Sequence, residues 1–559
     1  MTARGKCEAA RYGVRPVSAP DPHQPSPDQA TSLRQQAEQA LQFFENVLAD
    51  RGQLVHLDDD LRRRLMEAAG RVARPDPWQK REFLREARRQ RKEQKRAEDE
   101  RKLSSTGIRR LRREAVFVTP PALPAPVVPG GDIDRELAAD DEAAAPTHAT
   151  PTQVVAPAST AAPAEPHTVR DERNCYVCKT TFTTLHHFYD SMCQRCGDLN
   201  YQKRQQTADL RGRVAVVTGS RVKIGYQASI LLLRAGCRVV ATTRFPHDAA
   251  LRYAREADFA EWRDRLHVHG LDLRHTPSVE AFCRHLNTTF DRLDFVINNA
   301  CQTVRRPAGF YRHLMDAERQ PLSALPAAAQ QLLRSHEALR LGQADANRAL
   351  PATLDPLRHH DAPELSQRAL LAEDLLHGEA IFPGGRLDQD LQQVDLRTHN
   401  SWRMPLADVT TVELLEVQLV NAVAPFVLNA RLKPLMLRVP SRDKHIVNVS
   451  AMEGQFYRSF KTDKHPHTNM AKAALNMMTR TSAKDYVRSG IHMNSVDTGW
   501  VTDEDPAEIA ARKVEEHGFH PPLDIVDGAA RIVDPIFSGF HTGVHVWGQF
   551  LKDYAPTHW

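Results

Sequence analysis

From residue 210 to the C-terminus, short apolar runs alternate with longer amphipathic stretches. Residues 213–218, 237–243, 266–273, 293–297, 444–449 and 491–496 each carry an apolar run too short for a helix, and they read as buried strands. Residues 226–235 have helical periodicity and join the first two. Strand–helix alternation of this kind predicts an α/β fold with a Rossmann-type, doubly wound parallel sheet.

The N-terminal part is patterned differently. Residues 1–30 are rich in Pro and small polar side chains and predict disorder. Leu33, Ala37, Leu41, Phe44 and Leu48 recur at helical spacing, and Leu61, Leu65 and Val72 mark a second helix. Together they predict a helical hairpin with little core of its own. Residues 78–102 predict a third, solvated helix with opposite charges three and four positions apart. Residues 117–168 are mostly Pro, Ala, Thr and Val and predict an extended linker. The expected organisation is a helical, partly disordered region (1–116), a linker (117–168), a small cysteine-bearing unit (169–205) and the α/β domain (210–559).

A chain of 559 residues is too long for one core, and its net charge of +5 does not argue for nucleic acid. The Arg- and Lys-dense segment 80–113 carries many acids too, which favours a solvated or partner-facing helix over a nucleic-acid contact. No apolar run is read as approaching the roughly 18–20 residues that cross a bilayer, and no apolar segment follows the basic N-terminus. A cytoplasmic protein is expected, in which clustered cysteines bind metal rather than pair.

Cys175 and Cys178 form one CxxC pair, and Cys193 and Cys196 a second. Two such pairs give four thiolates the spacing of a tetrahedral zinc site, closed and structural because no position is left for water. His186 and His187 lie between the pairs and read as bystanders. Farther on, Gly219 to Gly225 link the first strand of the α/β pattern to its helix, where a tight turn would present N–H groups to a pyrophosphate. At the end of the next strand an acidic residue would bind the 2′-hydroxyl of NAD. Thr243 and Arg244 stand there instead and favour the 2′-phosphate of NADP.

These pieces, in this order, resemble the short-chain dehydrogenase/reductase (SDR) family over residues 210–559. Thr218-Gly219 and Ile224-Gly225 resemble its cofactor turn, Asp272-Leu273 its adenine-pocket dipeptide, and Asn298-Asn299-Ala300 its strand end. Asn421 matches a helix asparagine that helps relay protons, Ser450 the catalytic serine and Lys472 the catalytic lysine. Asn494 to Gly499, with Thr502, resembles the loop that touches the nicotinamide. The resemblance implies an NAD(P)-dependent oxidoreductase that forms homo-oligomers and acts on a carbonyl, alcohol or activated C=C group. It also implies that Arg221, Lys223, Arg244, Asn299 and Ala300 flank the dinucleotide.

The departures are specific. The family's tyrosine, four residues before the lysine, is Thr468 here, and an aliphatic hydroxyl is far less acidic than a phenol. Tyr457, His465 and His467 are candidate substitutes, each with an ordinary loop role as the plainer reading. Lys223 replaces a glycine of the phosphate turn and is expected to pair with phosphate, assisted by Arg221 and Arg244. Cys301 replaces another glycine and reads as a small core thiol, and Thr498 replaces a proline. An insertion at about 312–405, helical at 325–341 and 363–376 with a turn at 382–385, reads as a lid or substrate-selecting subdomain, against a surface contact. The alternative to an enzyme is an inactive NADP-sensing or scaffold protein that signals through its zinc knuckle and N-terminal helices.

Overall fold

The computed structural model describes residues 27–121, 167–349, 361–375, 378–457 and 461–559, and the chain divides into two units, 1–96 and 97–559. The disorder expected before residue 27 and the body of the linker, 122–166, lie outside the described residues. In the first unit the expected helices form as Pro27–Ala49 and Asp59–Ala73, and Pro77–Ser104 begins there. Asp58 starts the second by accepting the Leu61 N–H at 2.8 Å, and Asp76 starts the third through the N–H groups of Trp78 and Gln79. Their apolar stripe stays in solvent: Val72 is 82 % exposed, and no residue of Asp59–Ala73 is buried.

In the second unit, residues 117–120 are fastened to the domain rather than free as linker. Phe117 N–H donates to Gln389 O at 2.9 Å, Thr119 Oγ1 to Glu256 at 2.8 Å, and Arg234 to Pro120 O at 2.8 Å. Backbone and side-chain groups of the domain satisfy the polar groups of a segment that has no secondary structure of its own. Next, β1 (Thr168–Asn174) and β2 (Thr181–Thr184) pair antiparallel around the Cys175–Cys178 turn, and the helix Gln194–Arg204 starts directly after Cys193.

The strands β3 (Val214–Thr218), β4 (Arg238–Thr243), β5 (Leu266–Gly270), β6 (Phe295–Asn298), β7 (Lys444–Ser450), β8 (Ile491–Asp497), β9 (Phe550–Lys552) and β10 (Ala555–Thr557) build one eight-stranded sheet. Its order is β10-β9-β8-β7-β6-β3-β4-β5, parallel throughout except for the terminal β9–β10 hairpin. The order reverses between β3 and β6, and the carboxyl ends of those strands open the crevice where such a sheet binds ligands. Alternate strand residues fill two cores. Val217, Ile297, Val447 and Val496 pack toward the helix Ile525–Thr542, and Val216, Val296, Ile446 and Met493 toward Thr276–Thr289 and Ala424–Met436.

One expectation is corrected by the last of these helices. Together with the turns before it, the stretch Thr411–Met436 is long and apolar enough to cross a membrane. One face of it serves the core, where Leu428, Leu432, Leu435 and Met436 are buried against Val279, Phe282 and Leu286, while Leu415, Val423 and Phe426 are exposed.

The insertion has two parts. Around the helix Ala327–Ala349, Leu325, Ala329, Leu332 and Leu333 enter the first core beside edge strand β5, and His336 Nδ1 accepts the Gly270 N–H at 3.2 Å. That part covers a sheet edge. Residues 363–376, expected to be helical, form instead the short helix Ala362–Leu365 and a 3₁₀ turn, Ala372–Leu375. Asp374 accepts the N–H groups of Leu370 and Leu371 and pairs with Arg305, which holds the chain out of a continuous helix. The second part, beyond residue 378, is irregular and reaches the crevice.

Candidate active site

The β3 turn closes on the end of β6. Gly219 has φ +68°, and a Cβ there would lie 2.8 Å from Ala300 Cα; one on Gly225 would meet Asn299 Nδ2 at 2.2 Å and Gly219 O at 2.4 Å. Through that space Asn299 Nδ2 donates to Thr218 O at 3.0 Å and to Gly219 O at 3.2 Å, while Ala300 N–H donates to Thr218 Oγ1 at 3.0 Å. Ile224 packs beneath the turn against Gly528. Lys223 has φ +57°, so it holds a left-handed backbone that suits glycine, at a cost of roughly 1 kcal/mol.

The cations around this turn differ in their freedom. Arg221, expected to serve a phosphate, is buried; its guanidinium pairs with Asp248 at 2.8 Å and donates to Gln392 at 3.2 Å. Asp248 is also paired with Arg252 at 2.6 Å, so two guanidiniums share one carboxylate. Arg244 lies over the Tyr311 ring, 4.6 Å from its centroid, and donates to its hydroxyl at 2.6 Å. Among the described residues it has no carboxylate at ion-pair distance. Asp272 is buried and gripped by Arg274 at 2.6 Å, which holds its pKa below the ordinary value despite burial, and Leu273 is buried beside it. Lys223 sits in the field of two carboxylates. Burial raises the Asp390 pKa against the pull of Lys223, whereas at Glu504 Lys223 and the Thr502 hydroxyl, 2.8 Å away, outweigh burial and lower it.

Ser450 ends β7, and its buried Oγ has no hydrogen-bond partner. Lys472 is buried on the helix Pro466–Arg488 and donates to Val449 O at 2.8 Å, one residue before the serine. Asn421 lies in a π-turn, Leu419–Val423, of the kind that often marks functional sites. It clamps the strand end after Ala300: Oδ1 accepts the Gln302 N–H at 2.8 Å and Nδ2 donates to Gln302 O at 3.1 Å. Thr468, one helical turn before Lys472, has a buried hydroxyl without a partner.

The three suggested substitute acids fare poorly. Tyr457 is 97 % exposed. His465 stacks its ring on Trp402 at 3.9 Å while its backbone N–H donates to Met404 O, and His467 is enclosed 3.7 Å from Glu413. Cys301 is exposed, so it is no core thiol: beyond the end of β6 the chain has left the sheet.

Sequence reasoning quoted Asp497 inside a motif and passed over it. It is the last residue of β8 and the register partner of Ser450, and register partners in a parallel sheet project from the same face. Asp497 is buried and makes no hydrogen bond or ion pair among the described residues. Burial pushes its pKa up to about 6 against the pull of Lys552, with Glu453 and Asp553 adding to the rise. The available signal was positional, since Ser450 and Asp497 both terminate apolar runs.

The far part of the insertion lies over these groups. Arg252 donates to Asp390 O and Leu391 O, Asn400 Nδ2 to Glu504 O at 2.9 Å, and Arg305 N–H to Ser401 Oγ at 2.9 Å. Buried Arg305 pairs with Asp374 of the insertion and with Glu416, 3.0 Å away, which also meets Arg274 at 3.1 Å. One ion-pair network therefore ties the insertion to Asp272. Beyond residue 497, Gly499 has φ +75°, and its open side receives Leu523 and Tyr176.

These residues fit a nicotinamide dinucleotide at both ends. Arg244 and Asp272 would face its adenosine end, and the Ser450 hydroxyl, with Lys472, the other. Between them the turn keeps Gly219 and Gly225, while Lys223 stands in place of a further glycine and in the field of Asp390 and Glu504. Separately, the sulfurs of Cys175, Cys178, Cys193 and Cys196 all lie within 4.8 Å of one another, with Cys178 and Cys193 3.7 Å apart. Tetrahedral zinc with bonds of about 2.3 Å sets sulfurs about 3.8 Å apart, so the four thiols fit that ion. His186 uses Nδ1 to accept the N–H groups of Phe188 and Tyr189 and is outside the group.

Comparison with known proteins agrees with this geometry. The family model described as short chain dehydrogenase matches residues 213–317, and that described as enoyl-(acyl carrier protein) reductase matches 385–520. The stretch between them falls within the insertion. An uncharacterized protein, R665, of Acanthamoeba polyphaga mimivirus is 31 % identical over 391 residues, covering 68 % of this chain and 74 % of the viral protein. Retinol dehydrogenase 11 of Mus musculus is 32 % identical over 109 residues, 19 % of this chain and 34 % of that one. (+)-Neomenthol dehydrogenase of Capsicum annuum is 35 % identical over 91 residues, 16 % of this chain and 28 % of that one. The β3 turn, the order of the sheet and the Ser450–Lys472 pair agree with these matches, which place residues 213–317 and 385–520 among sequences of the short-chain dehydrogenase/reductase type.

Proposed function

We propose that the protein is an NADP-preferring oxidoreductase that reduces a carbonyl group, or oxidises the corresponding alcohol, with Asp497 in place of the family's tyrosine. The observation that carries this reading is that Ser450, whose buried hydroxyl has no partner among the described residues, is the register partner of Asp497, a buried carboxyl on the neighbouring strand end. When bound, the dinucleotide supplies the hydride. Ser450 donates a hydrogen bond to the substrate oxygen, and Asp497 delivers the proton to that oxygen, so the carbonyl gains both atoms of its alcohol. A carboxyl titrating near 6 exchanges protons close to neutral pH, which Thr468 cannot do. Lys472, with one of its N–H donors on Val449 O, keeps the others for the ribose hydroxyls. Arg244 is the cation for the 2′-phosphate. The four thiols enclose a structural zinc.

A second reading, an NADP sensor without turnover, is favoured by the threonine at position 468. One experiment separates them. NADPH consumption over a panel of aldehydes and ketones should appear in the wild type and fall at least a hundredfold in both Ser450→Ala and Asp497→Asn. NADPH binding without consumption of any substrate would establish the sensor.

A further inference from the structure

The cysteine knuckle touches the loop after β8 in two ways, through core contacts at Val501 and through a hydrogen bond to one side chain. Tyr176, between the paired ligands Cys175 and Cys178, accepts the Trp500 N–H on its hydroxyl at 3.0 Å. The same hydroxyl would be 3.1 Å from a Cβ on Gly499, so it rests on the open side of that residue. Gly499 to Thr502 is the loop that follows Asp497. Tyr176 is not itself a proton donor for the reaction, since burial, reinforced by Asp497, raises its phenol above the ordinary range.

The rest of the knuckle is anchored to the start of the helix Ile525–Thr542, with Val501 of the loop at the edge of that contact. Tyr189 donates to Asp527 at 2.5 Å, and Arg204 meets Asp524 at 2.5 Å and Asp527 at 3.1 Å. Phe188, Tyr189 and Met192 share a core with Val501, Leu523, Ile525 and Val526. These anchors belong to the half of the knuckle that carries Cys193 and Cys196. The turn with Tyr176 carries the other two thiols, and the backbone bond from Tyr176 N–H to Ser191 O, 2.8 Å, joins the halves. A metal held by all four sulfurs would lock the Tyr176 turn to the anchored half.

We infer that the four-thiolate metal site positions the loop Asp497–Thr502 through Tyr176, so that metal occupancy sets the order of the nicotinamide end of the site. This rests on the zinc reading above. Tyr176 is a positioning residue: it holds a backbone amide of the loop and touches no substrate. Loss of the metal, by chelation or by oxidation of the thiols to disulfides by a peroxide, frees the turn and with it the loop.

The test uses the full-length protein, with metal content measured alongside amide hydrogen exchange over residues 497–502. Tyr176→Phe should keep one zinc per chain and its thermal midpoint, yet speed exchange at Trp500 about tenfold and weaken NADPH binding. Zinc removal from the wild type should speed the same amide at least as much, and restored zinc should reverse it. Unchanged Trp500 exchange in Tyr176→Phe with zinc in place, or in the wild type after zinc removal, overturns the coupling. Purified protein that takes up no zinc overturns the metal reading itself.

Discussion

Replacing Asp497 by Asn should make the protein more stable and less active, and the gain in stability should depend on pH. Its carboxyl is buried without a partner, and its pKa is raised from 3.8 to about 6. A raised pKa means that the folded state holds the proton more tightly than the unfolded chain. The stabilising contribution of the protonated form is therefore complete below 3.8 and is lost as pH rises through about 6. At about 1.4 kcal/mol per pH unit, the neutral-pH cost of the ionised group is about 3 kcal/mol. Asn keeps the shape without the charge. Urea unfolding of both proteins should show no advantage for Asp497→Asn near pH 4 and an advantage of about 2–3 kcal/mol near pH 8. Wild-type carbonyl reduction should fall as pH rises through 6, and the variant should lack that dependence along with its activity. A stability difference that does not change with pH, or a variant with normal turnover, would refute the assignment of Asp497 as a strained, functional acid.

Other substitutions read different parts of the site. Lys223→Gly should raise stability by about 1 kcal/mol by relieving its left-handed backbone, while lowering NADPH affinity through the lost charge, as calorimetry of unfolding and of binding would show. Gly225→Ala forces a Cβ onto Asn299 and Gly219 O and should cost about 1–3 kcal/mol, with a matching loss of dinucleotide affinity by fluorescence titration. Arg305→Ala leaves Asp374 and Glu416 buried without their cation. It should destabilise the protein by about 3–5 kcal/mol and increase proteolysis between residues 378 and 405.

The fold was legible where pattern and chemistry agree. The strands β3 to β8 follow from their apolar runs, and the tight turn from Gly219 and Gly225, whose missing Cβ atoms are needed for the approach of Asn299 and Ala300. Lys223 reads as a broken motif in sequence, yet the backbone keeps the conformation of the glycine it replaces. The C-terminal helix and the β9–β10 hairpin escaped notice. The helix has both an apolar stripe and the Asp524/Asp527 capping box, but Pro535 inside it reads as a break, and the hairpin strands are three residues each. The insertion was read as one lid because sequence shows its length but not its partners; Leu325, Ala329, Leu332 and Leu333 belong to the main core. The pairing of Arg221 and Arg252 with Asp248 was not legible for Arg221, because Asp248 lies one strand and a helix away from it. Asp497 and Tyr176 were inside motifs already noticed for other residues, and their roles depend on register and docking that no local pattern encodes.

The account rests most directly on a titration of NADPH and NADH into the zinc-loaded, full-length protein. It predicts saturable binding of both, at least tenfold tighter for NADPH, with the preference lost in Arg244→Ala, because Arg244 is a cation just after β4 with no carboxylate at ion-pair distance among the described residues. Failure of either dinucleotide to bind, or equal affinity for the two that Arg244→Ala leaves unchanged, would contradict it.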